Sequence, residues 1–468
     1  MGFKPSVLLQ QNFPFDPTYG QTEVFKLWDQ FLATKGDEKQ IFLLRGFAGT
    51  GKTTLVSQLV KVLSQIGYDH KLIAPTGRAA KVISSYSNKA AFTIHRVIYS
   101  HNSGSESDYF VFRLKKNFYT NTLFIVDEAS MISDDPDTGE KGLLSDLIQF
   151  VFEKKSNKLL IVGDAAQLPP VKKDLSPALD AEYLRRKFDA EVLDYELKEV
   201  VRQEKESGIL MNATLLRQKI FKQDYTLMFK TKGFGDMFKM NGDKLEDGLR
   251  YAYRKFGQEN AVVICRSNKS ATLYNQYIRR TINGSEEEIN AGDLLMIVRN
   301  NYSVLSEDSK AGFLANGDFV EVRKIVNFEE IHGFRFATLE MKLLDVPEQE
   351  SFEAKVLLDT LHSYNPNLTL EEYKKLQASV LLDYQDIASK KERFEKLKKD
   401  PYLNALQIKF AYALTCHKSQ GGQWEAVFVD QGYLPEDSIN KEYLRWLYTA
   451  FTRATDELYL LNFSPSFF

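Results

Sequence analysis

Gly46-Phe47-Ala48-Gly49-Thr50-Gly51-Lys52-Thr53 is the stretch on which the reading of this chain turns. It follows an apolar, strand-like run at 41–44 and opens a stretch of helical periodicity, the context in which a glycine-rich loop cradles phosphate. Glycines let backbone N–H groups close around phosphate oxygens, and the positive end of the following helix adds to the attraction. Gly46, Ala48, Gly49, Thr50, Gly51, Lys52, Thr53 and Thr54 are therefore expected to line a nucleoside triphosphate. In that arrangement Lys52 reaches the β- and γ-phosphates and the Thr53 hydroxyl ligates Mg²⁺. The loop by itself does not choose among kinases, GTPases and motors.

Moving outward, Leu123-Phe124-Ile125-Val126-Asp127-Glu128 is an apolar strand that ends in two carboxylates, at the end of a parallel sheet where ligands bind. Asp127 is expected to hold Mg²⁺ through its water shell, and Glu128 to orient or deprotonate an attacking water. A strand ending in Asp-Glu also occurs in ordinary surface turns; the phosphate loop is what gives this pair its meaning. Leu159-Leu160-Ile161-Val162-Gly163-Asp164 supplies a further buried strand, and the loop after it carries Gln167-Leu168-Pro169-Pro170. An amide at that sheet edge can sense a γ-phosphate, although the segment alone reads equally as a proline-stiffened connection.

Short apolar runs at 41–44, 71–74, 123–126 and 159–162 alternate with amphipathic stretches, which implies βαβ crossovers and an α/β fold with a parallel sheet covered on both faces. A second set comprises 261–265, a helix at 268–281, and runs at 410–414, 426–430, 443–452 and 458–461. Between them, from 293 to 404, the pattern changes. Short strands with turn signals such as Asn316-Gly317-Asp318 suggest a small β-barrel to about 344, and Thr369 with Glu372 forms a capping box that opens a helical arm over 369–399. The charge run at 390–399 reads as a solvated helix face, with a nucleic-acid or partner surface as the alternative.

The bulk numbers bound this reading. At 468 residues the chain exceeds one ordinary core, and 43% hydrophobic with 26% charged residues is the balance of a soluble globular protein. A formal net charge of −2 excludes a global positive field, so any contact with a polyanion must be local. Two widely separated cysteines, Cys265 and Cys416, form neither a metal-ligand spacing nor a disulfide framework. No apolar run approaches the roughly 18 residues of a membrane helix. The expectation is a cytoplasmic protein without membrane contact.

Taken together, these segments resemble motifs I, II and III of superfamily 1 helicases in the RecD-like and Dda-like branch, and further matches follow in the same order. Gln21 resembles the glutamine that reads adenine. Ala74-Pro75-Thr76-Gly77-Arg78-Ala79-Ala80-Lys81 is similar to motif Ia and Thr93-Ile94-His95-Arg96 to the DNA-contacting segment after it. Leu197-Lys198-Glu199-Val200-Val201-Arg202-Gln203 is similar to motif IV, Thr415-Cys416-His417-Lys418-Ser419-Gln420-Gly421 to motif V, and Tyr448-Thr449-Ala450-Phe451-Thr452-Arg453-Ala454 to motif VI.

The resemblance implies two RecA-like domains: 1–200, with a small hairpin insertion at about 99–121, and 201–292 joined with 405–468. The insertion at 293–404 would be an SH3-like barrel with its helical arm. It further implies that Lys52, Glu128, Gln167, Arg202 and Arg453 carry catalysis, with Gly421 also near the nucleotide. Pro75, Thr76, Gly77, Arg78, Thr93, His95, Thr415, His417 and Lys418 would face nucleic acid. Cofactors would be ATP and Mg²⁺; partners would be single-stranded DNA and duplex junctions, with RNA as an alternative. The expected activity is 5′ to 3′ translocation and unwinding by a monomer whose helical arm is open to protein partners. A nucleotide-dependent binding protein with little turnover is the competing class. Tyr109, Phe110, Phe112, Lys115 and Lys116 would belong to a strand-separating hairpin, or equally to a surface hairpin burying its own aromatics.

Overall fold

The apolar runs of the first half assemble into one parallel sheet. In the computed structural model, which describes residues 4–34, 38–100, 113–135, 142–200, 206–301, 303–306, 309, 311, 313–346, 349–435 and 438–468, its strands are β1 (Lys39–Gly46), β2 (Asp69–Ala74), β3 (Ala91–Thr93), β6 (Thr122–Val126), β7 (Lys158–Gly163) and β8 (Ala190–Leu197). Two-residue strands β4 (Tyr99–Ser100) and β5 (Arg113–Leu114) pair antiparallel outside it. The order is β3-β2-β6-β7-β1-β8, with every neighbouring pair parallel.

Strand geometry sends alternate side chains to opposite faces, and here both faces are covered. Phe42, Leu44, Ile125, Leu160 and Val162 pack with Leu55, Val56 and Leu59 of the helix Lys52–Leu63. Ile41, Leu43, Val126, Leu159 and Ile161 pack on the other side with Leu144, Leu147 and Ile148. Double burial explains why these strands read as continuous apolar runs. β8 is an edge strand, half-buried, and its charged residues are used laterally: Asp194 takes Arg45 of β1 at 2.6 Å and Glu191 takes Gln40 at 2.6 Å.

The second half builds another all-parallel sheet from β9 (Met237–Met240), β10 (Ala261–Cys265), β16 (Ala413–Thr415), β17 (Trp424–Asp430) and β18 (Ala454–Leu461), in the order β16-β10-β17-β18-β9. Between β10 and β16 the chain makes a closed barrel of β11 (Leu294–Ile297), β12 (Phe319–Ile331), β13 (Phe334–Leu343), β14 (Phe352–Leu357) and β15 (Leu406–Phe410). The run at 410–414, expected to re-enter the sheet, divides instead. Residues Leu406–Phe410 close the barrel against β11 and β14, and only Ala413–Thr415 join β10, so the segment from 405 begins in the barrel. An unbroken apolar stretch hides this change of sheet, because both strands are buried.

A buried cluster ties the two crossings together. Arg279, from the helical turn Ile278–Ile282, bonds both oxygens of Asp293 at 3.0 and 2.9 Å just before β11. The Tyr412 hydroxyl, just after β15, donates to the same carboxylate at 2.8 Å. The expected arm comprises two helices, Leu370–Leu382 and Lys390–Lys398, and the capping box of Thr369 with Glu372 is present. Leu376, Val380 and Leu397 pack on Phe334, Phe336 and Leu357, which folds the arm against the barrel wall. No described helix is long and apolar enough to cross a membrane.

Candidate functional site

The loop after β1 has the backbone that its glycines predict. Gly49 and Gly51 adopt φ of 77° and 81°, which a side chain would strain, and Gly51 caps the helix Lys52–Leu63. The Lys52 ammonium lies over the loop and donates to the carbonyls of Gly46 and Phe47 at 2.8 and 2.9 Å. Thr53 and Thr54 occupy the first turn, half-buried. Gln21 sits beneath the loop: its amide nitrogen donates to the Thr50 carbonyl at 3.2 Å, and its oxygen accepts from the Thr18 N–H at 3.0 Å in a capping box. The amide expected to read adenine thus also fixes the loop to the helix Tyr19–Ala33.

Asp127 and Glu128 follow β6. Glu128 holds φ at 53°, a left-handed conformation uncommon for a residue with a side chain and concentrated at functional positions. Burial, and then the neighbouring Glu128 carboxylate, push the Asp127 carboxyl up to about 6, against the pull of the Glu128 N–H and Lys52. The partner of Glu128 comes from the second half of the chain. Arg453, buried at the end of the helix Lys441–Phe451, places a guanidinium nitrogen 3.9 Å from Glu128 Oε1. Gln167 lies between them, and with its amide oriented to match its neighbours the nitrogen donates to Glu128 Oε2 at 3.2 Å and the oxygen accepts from Arg453 at 3.2 Å. Three of the five expected catalytic side chains therefore meet across a cleft. Arg202 lies outside the described residues.

Further cross-cleft contacts involve residues that motif reading did not single out. The Tyr448 hydroxyl accepts from the Ala48 N–H of the phosphate loop at 2.8 Å and donates to Asp164 at 2.6 Å. Asp164 is buried at the end of β7, and burial raises its carboxyl above the ordinary carboxylate range. Thr449 accepts from the Leu168 N–H at 2.8 Å, and Gln420 donates to the Leu168 carbonyl at 2.8 Å. The signal was available: Tyr448 and Thr449 lie within the same motif as Arg453, at the end of the helix Lys441–Phe451 that delivers it.

The residues expected at nucleic acid fall at the C-terminal ends of β2, β3 and β16. Thr76 caps the helix Gly77–Ser87 and Thr93 caps the helix Ile94–Ile98, on strands paired through Ala74 and Thr93. Pro75 is half-buried beside them. Burial pushes His95 down to about 4, so it is neutral at pH 7. Thr415 ends β16, His417 is exposed, and the Lys418 ammonium donates to Asn316 of the barrel at 2.7 Å. A cleft of about 560 Å³ runs between the helix Gly77–Ser87 and the barrel, lined by Lys81, Lys89, Phe92, Thr93, Arg96 and Asp318 among others.

Arg78 and Gly421 are engaged by other parts of the protein. Arg78 is not part of that cleft; its guanidinium is held 4.1 Å from the Phe319 ring centroid and 4.3 Å from that of Trp424. Aromatic faces contributed by distant strands outcompete a solvent-facing position for this cation. Gly421, expected near the nucleotide, packs against motif Ia instead, where a Cβ would come within 2.7 Å of Ala79 and 2.9 Å of Thr76. Of the hairpin at about 99–121, the base is β4 and β5, with Lys115 and Lys116 beyond it, while Tyr109, Phe110 and Phe112 lie outside the described residues.

Comparison with known proteins matches residues 29–225 to an AAA domain model and 410–461 to the UvrD-like helicase C-terminal domain. The uncharacterized protein R530 of Acanthamoeba polyphaga mimivirus is 26% identical over 503 residues, covering 90% of this chain and 94% of that one. The ATP-dependent DNA helicase dda of Enterobacteria phage T4 is 24% identical over 439 residues, covering 88% and 92%. The ATP-dependent RecD2 DNA helicase of Deinococcus radiodurans is 30% identical over 138 residues, covering 28% of this chain and 16% of that protein.

Proposed function

We propose that this chain, a superfamily 1 helicase of the RecD and Dda type, uses ATP hydrolysis to move 5′ to 3′ along single-stranded DNA and to unwind the duplex ahead of it. The observation that carries the reading is the meeting of Glu128, Gln167 and Arg453 across the cleft. A carboxylate placed by one sheet and a guanidinium placed by the other form one site only when the two halves are together. Hydrolysis is thereby tied to closure, and closure to movement of the strand-binding edges.

In this mechanism the phosphate loop and Lys52 hold the triphosphate, Glu128 orients the attacking water and accepts its proton, and Arg453 offsets charge that builds on the transferred phosphoryl group. Gln167 reports the γ-phosphate by touching both Glu128 and Arg453. The Thr53 hydroxyl and the Asp127 carboxylate are hard oxygen donors of the kind that suits Mg²⁺, which bound there neutralises phosphate charge. Thr76, Thr93, Thr415 and His417 lie at the ends of strands from both sheets, suited to phosphate and sugar contact without reading sequence. The cleft beside Lys89 and Arg96 continues that path under the barrel, which grips the strand as an SH3-like insertion. The β4–β5 ribbon is the base of the separating pin, and the chain works as a monomer.

Two partial duplexes, one with a 5′ and one with a 3′ overhang, test this directly. Unwinding of the 5′-tailed substrate with DNA-stimulated hydrolysis is expected, and Glu128→Gln lowers turnover by about 10²- to 10⁴-fold while ATP and single strands still bind. Unwinding confined to the 3′-tailed duplex overturns the direction. Stimulation by RNA but not DNA oligonucleotides overturns the substrate.

A further inference from the structure

Arg78 sits in a motif whose basic side chain invites assignment to the DNA backbone, yet its guanidinium is already engaged by two aromatic rings. Phe319, the first residue of β12, covers one part of the guanidinium and Trp424, the first residue of β17, another. The two rings lie 6.3 Å apart, tilted by 66°. Asp345, which follows β13 and is buried, approaches the Arg78 Nε at 4.0 Å and the Lys81 ammonium at 3.3 Å. Lys81 also donates to the Leu344 carbonyl at 2.9 Å. One helix of the first half, Gly77–Ser87, is thus held to the barrel by Arg78 and Lys81, and Arg78 alone of the two also reaches Trp424 of the second sheet.

The Trp424 end of this clamp leads straight to the nucleotide site. The Trp424 backbone N–H donates to the Arg453 carbonyl at 2.9 Å, and the Arg453 guanidinium donates to the Gly422 carbonyl at 3.1 Å, two residues from Trp424. The same guanidinium faces Glu128 and Gln167. A Cβ at Gly422 would fall 2.5 Å from the Trp424 ring and 3.2 Å from the Arg78 side chain, so the turn, the ring and Arg78 are packed without slack. Contacts therefore run without a gap from Glu128 through Arg453, the turn at 422–424 and Arg78 to Phe319 of the barrel.

We infer that Arg78 is a positioning residue that couples the nucleotide-dependent setting of Arg453 to the barrel, and that it does not bind DNA. The inference rests on the helicase reading above, but it concerns coupling alone. When Arg453 shifts with closure, the turn at 422–424 and the Trp424 ring shift with it, and Arg78 carries that displacement to the helix Gly77–Ser87 and to β12. A spatial chain becomes a coupling path only when its members are energetically linked, so the test is a mutant cycle.

Arg78→Met, Trp424→Leu and their double variant, with Arg78→Lys as the conservative change, are compared with the parent for hydrolysis, single-strand affinity across salt concentrations, and base pairs unwound per ATP. Arg78→Met is expected to leave hydrolysis on saturating single strands within threefold and the salt slope of DNA binding unchanged, while unwinding per ATP falls at least tenfold. Trp424→Leu should lose unwinding similarly, the double variant should be no worse than either single one, and Arg78→Lys should recover only part. A salt slope lowered by about one with unwinding per ATP preserved would make Arg78 a phosphate contact and overturn the inference. Additive losses in the cycle would overturn the coupling as well. Should a variant fold poorly, Phe319→Leu probes the same stack from the barrel side, with an unchanged thermal midpoint as the condition for reading the cycle. A parent enzyme that fails to unwind would refute the helicase reading instead, so the two failures are distinguishable.

Discussion

Replacing Tyr448 by Phe removes one oxygen atom from the cleft and leaves the ring in place, so it isolates what the two hydroxyl bonds contribute. In the closed arrangement that hydroxyl satisfies the Ala48 N–H at 2.8 Å and a buried Asp164 oxygen at 2.6 Å. Without Tyr448 the Asp164 carboxylate keeps the Ala166 N–H at 2.9 Å. A hydrogen bond to a charged group contributes about 1.5–3 kcal/mol and a neutral one about 0.5–1.5 kcal/mol, giving about 2–4.5 kcal/mol against closure. The open cleft pays none of this, because water reaches both groups there. At about 1.4 kcal/mol per decade the closing equilibrium shifts by roughly 30- to 2,000-fold. The DNA-stimulated kcat should therefore drop at least tenfold, with the thermal midpoint moving by no more than a few degrees. A kcat within twofold of the parent would show that these contacts do not gate hydrolysis.

Two other predictions concern ionisation and stability. Burial raises the Asp127 carboxyl to about 6, so at limiting Mg²⁺ protons compete with the metal for it and hydrolysis should fall as pH drops through that value, an effect that excess Mg²⁺ should relieve. The sign for stability is the reverse: a raised native pKa means the charged form opposes folding, by an amount that grows from the unfolded value to about 6 and then levels off. Asp127→Asn should abolish turnover and yet melt no lower than the parent at pH 7.5; a large destabilisation there would contradict the assignment. Arg279→Met strands Asp293 in the interior and should cost about 3–5 kcal/mol, read as a lower midpoint in chemical denaturation. A loss below about 1 kcal/mol would mean that water reaches the pair.

How much could be read without coordinates depended on whether a signal was local. The phosphate loop, the Asp127-Glu128 strand and the Gln167 loop were legible because each packs its chemistry into a few consecutive residues beside a doubly buried strand. β8 was not, since Ala190–Leu197 intersperses charges that serve lateral bonds at a sheet edge, and that pattern mimics a solvated helix. The division of 410–414 was hidden because its two strands are equally apolar. Arg78 shows a different limit. Its motif places a cation at a strand end, but the rings that capture it come from residues 319 and 424, and no short-range pattern announces a contact at that separation. Gln21 lies beside the loop, and its two bonds to Thr18 and Thr50 show a fastening duty that a motif match cannot express.

The barrel leaves the second sheet and returns to it at one spot. β11 and β15 are hydrogen-bonded neighbours, and the flanking strands β10 and β16 pair directly through Val263 and Ala413. A module whose two ends meet in this way can lengthen, shrink or be exchanged over generations without altering the spacing of the engine that hosts it. Such an exchange must respect the carboxylate at Asp293 gripped from both ends of the excursion, the stacking partner that Phe319 offers the guanidinium on the other half, and the polar ties of Lys81 and Lys418 to the barrel.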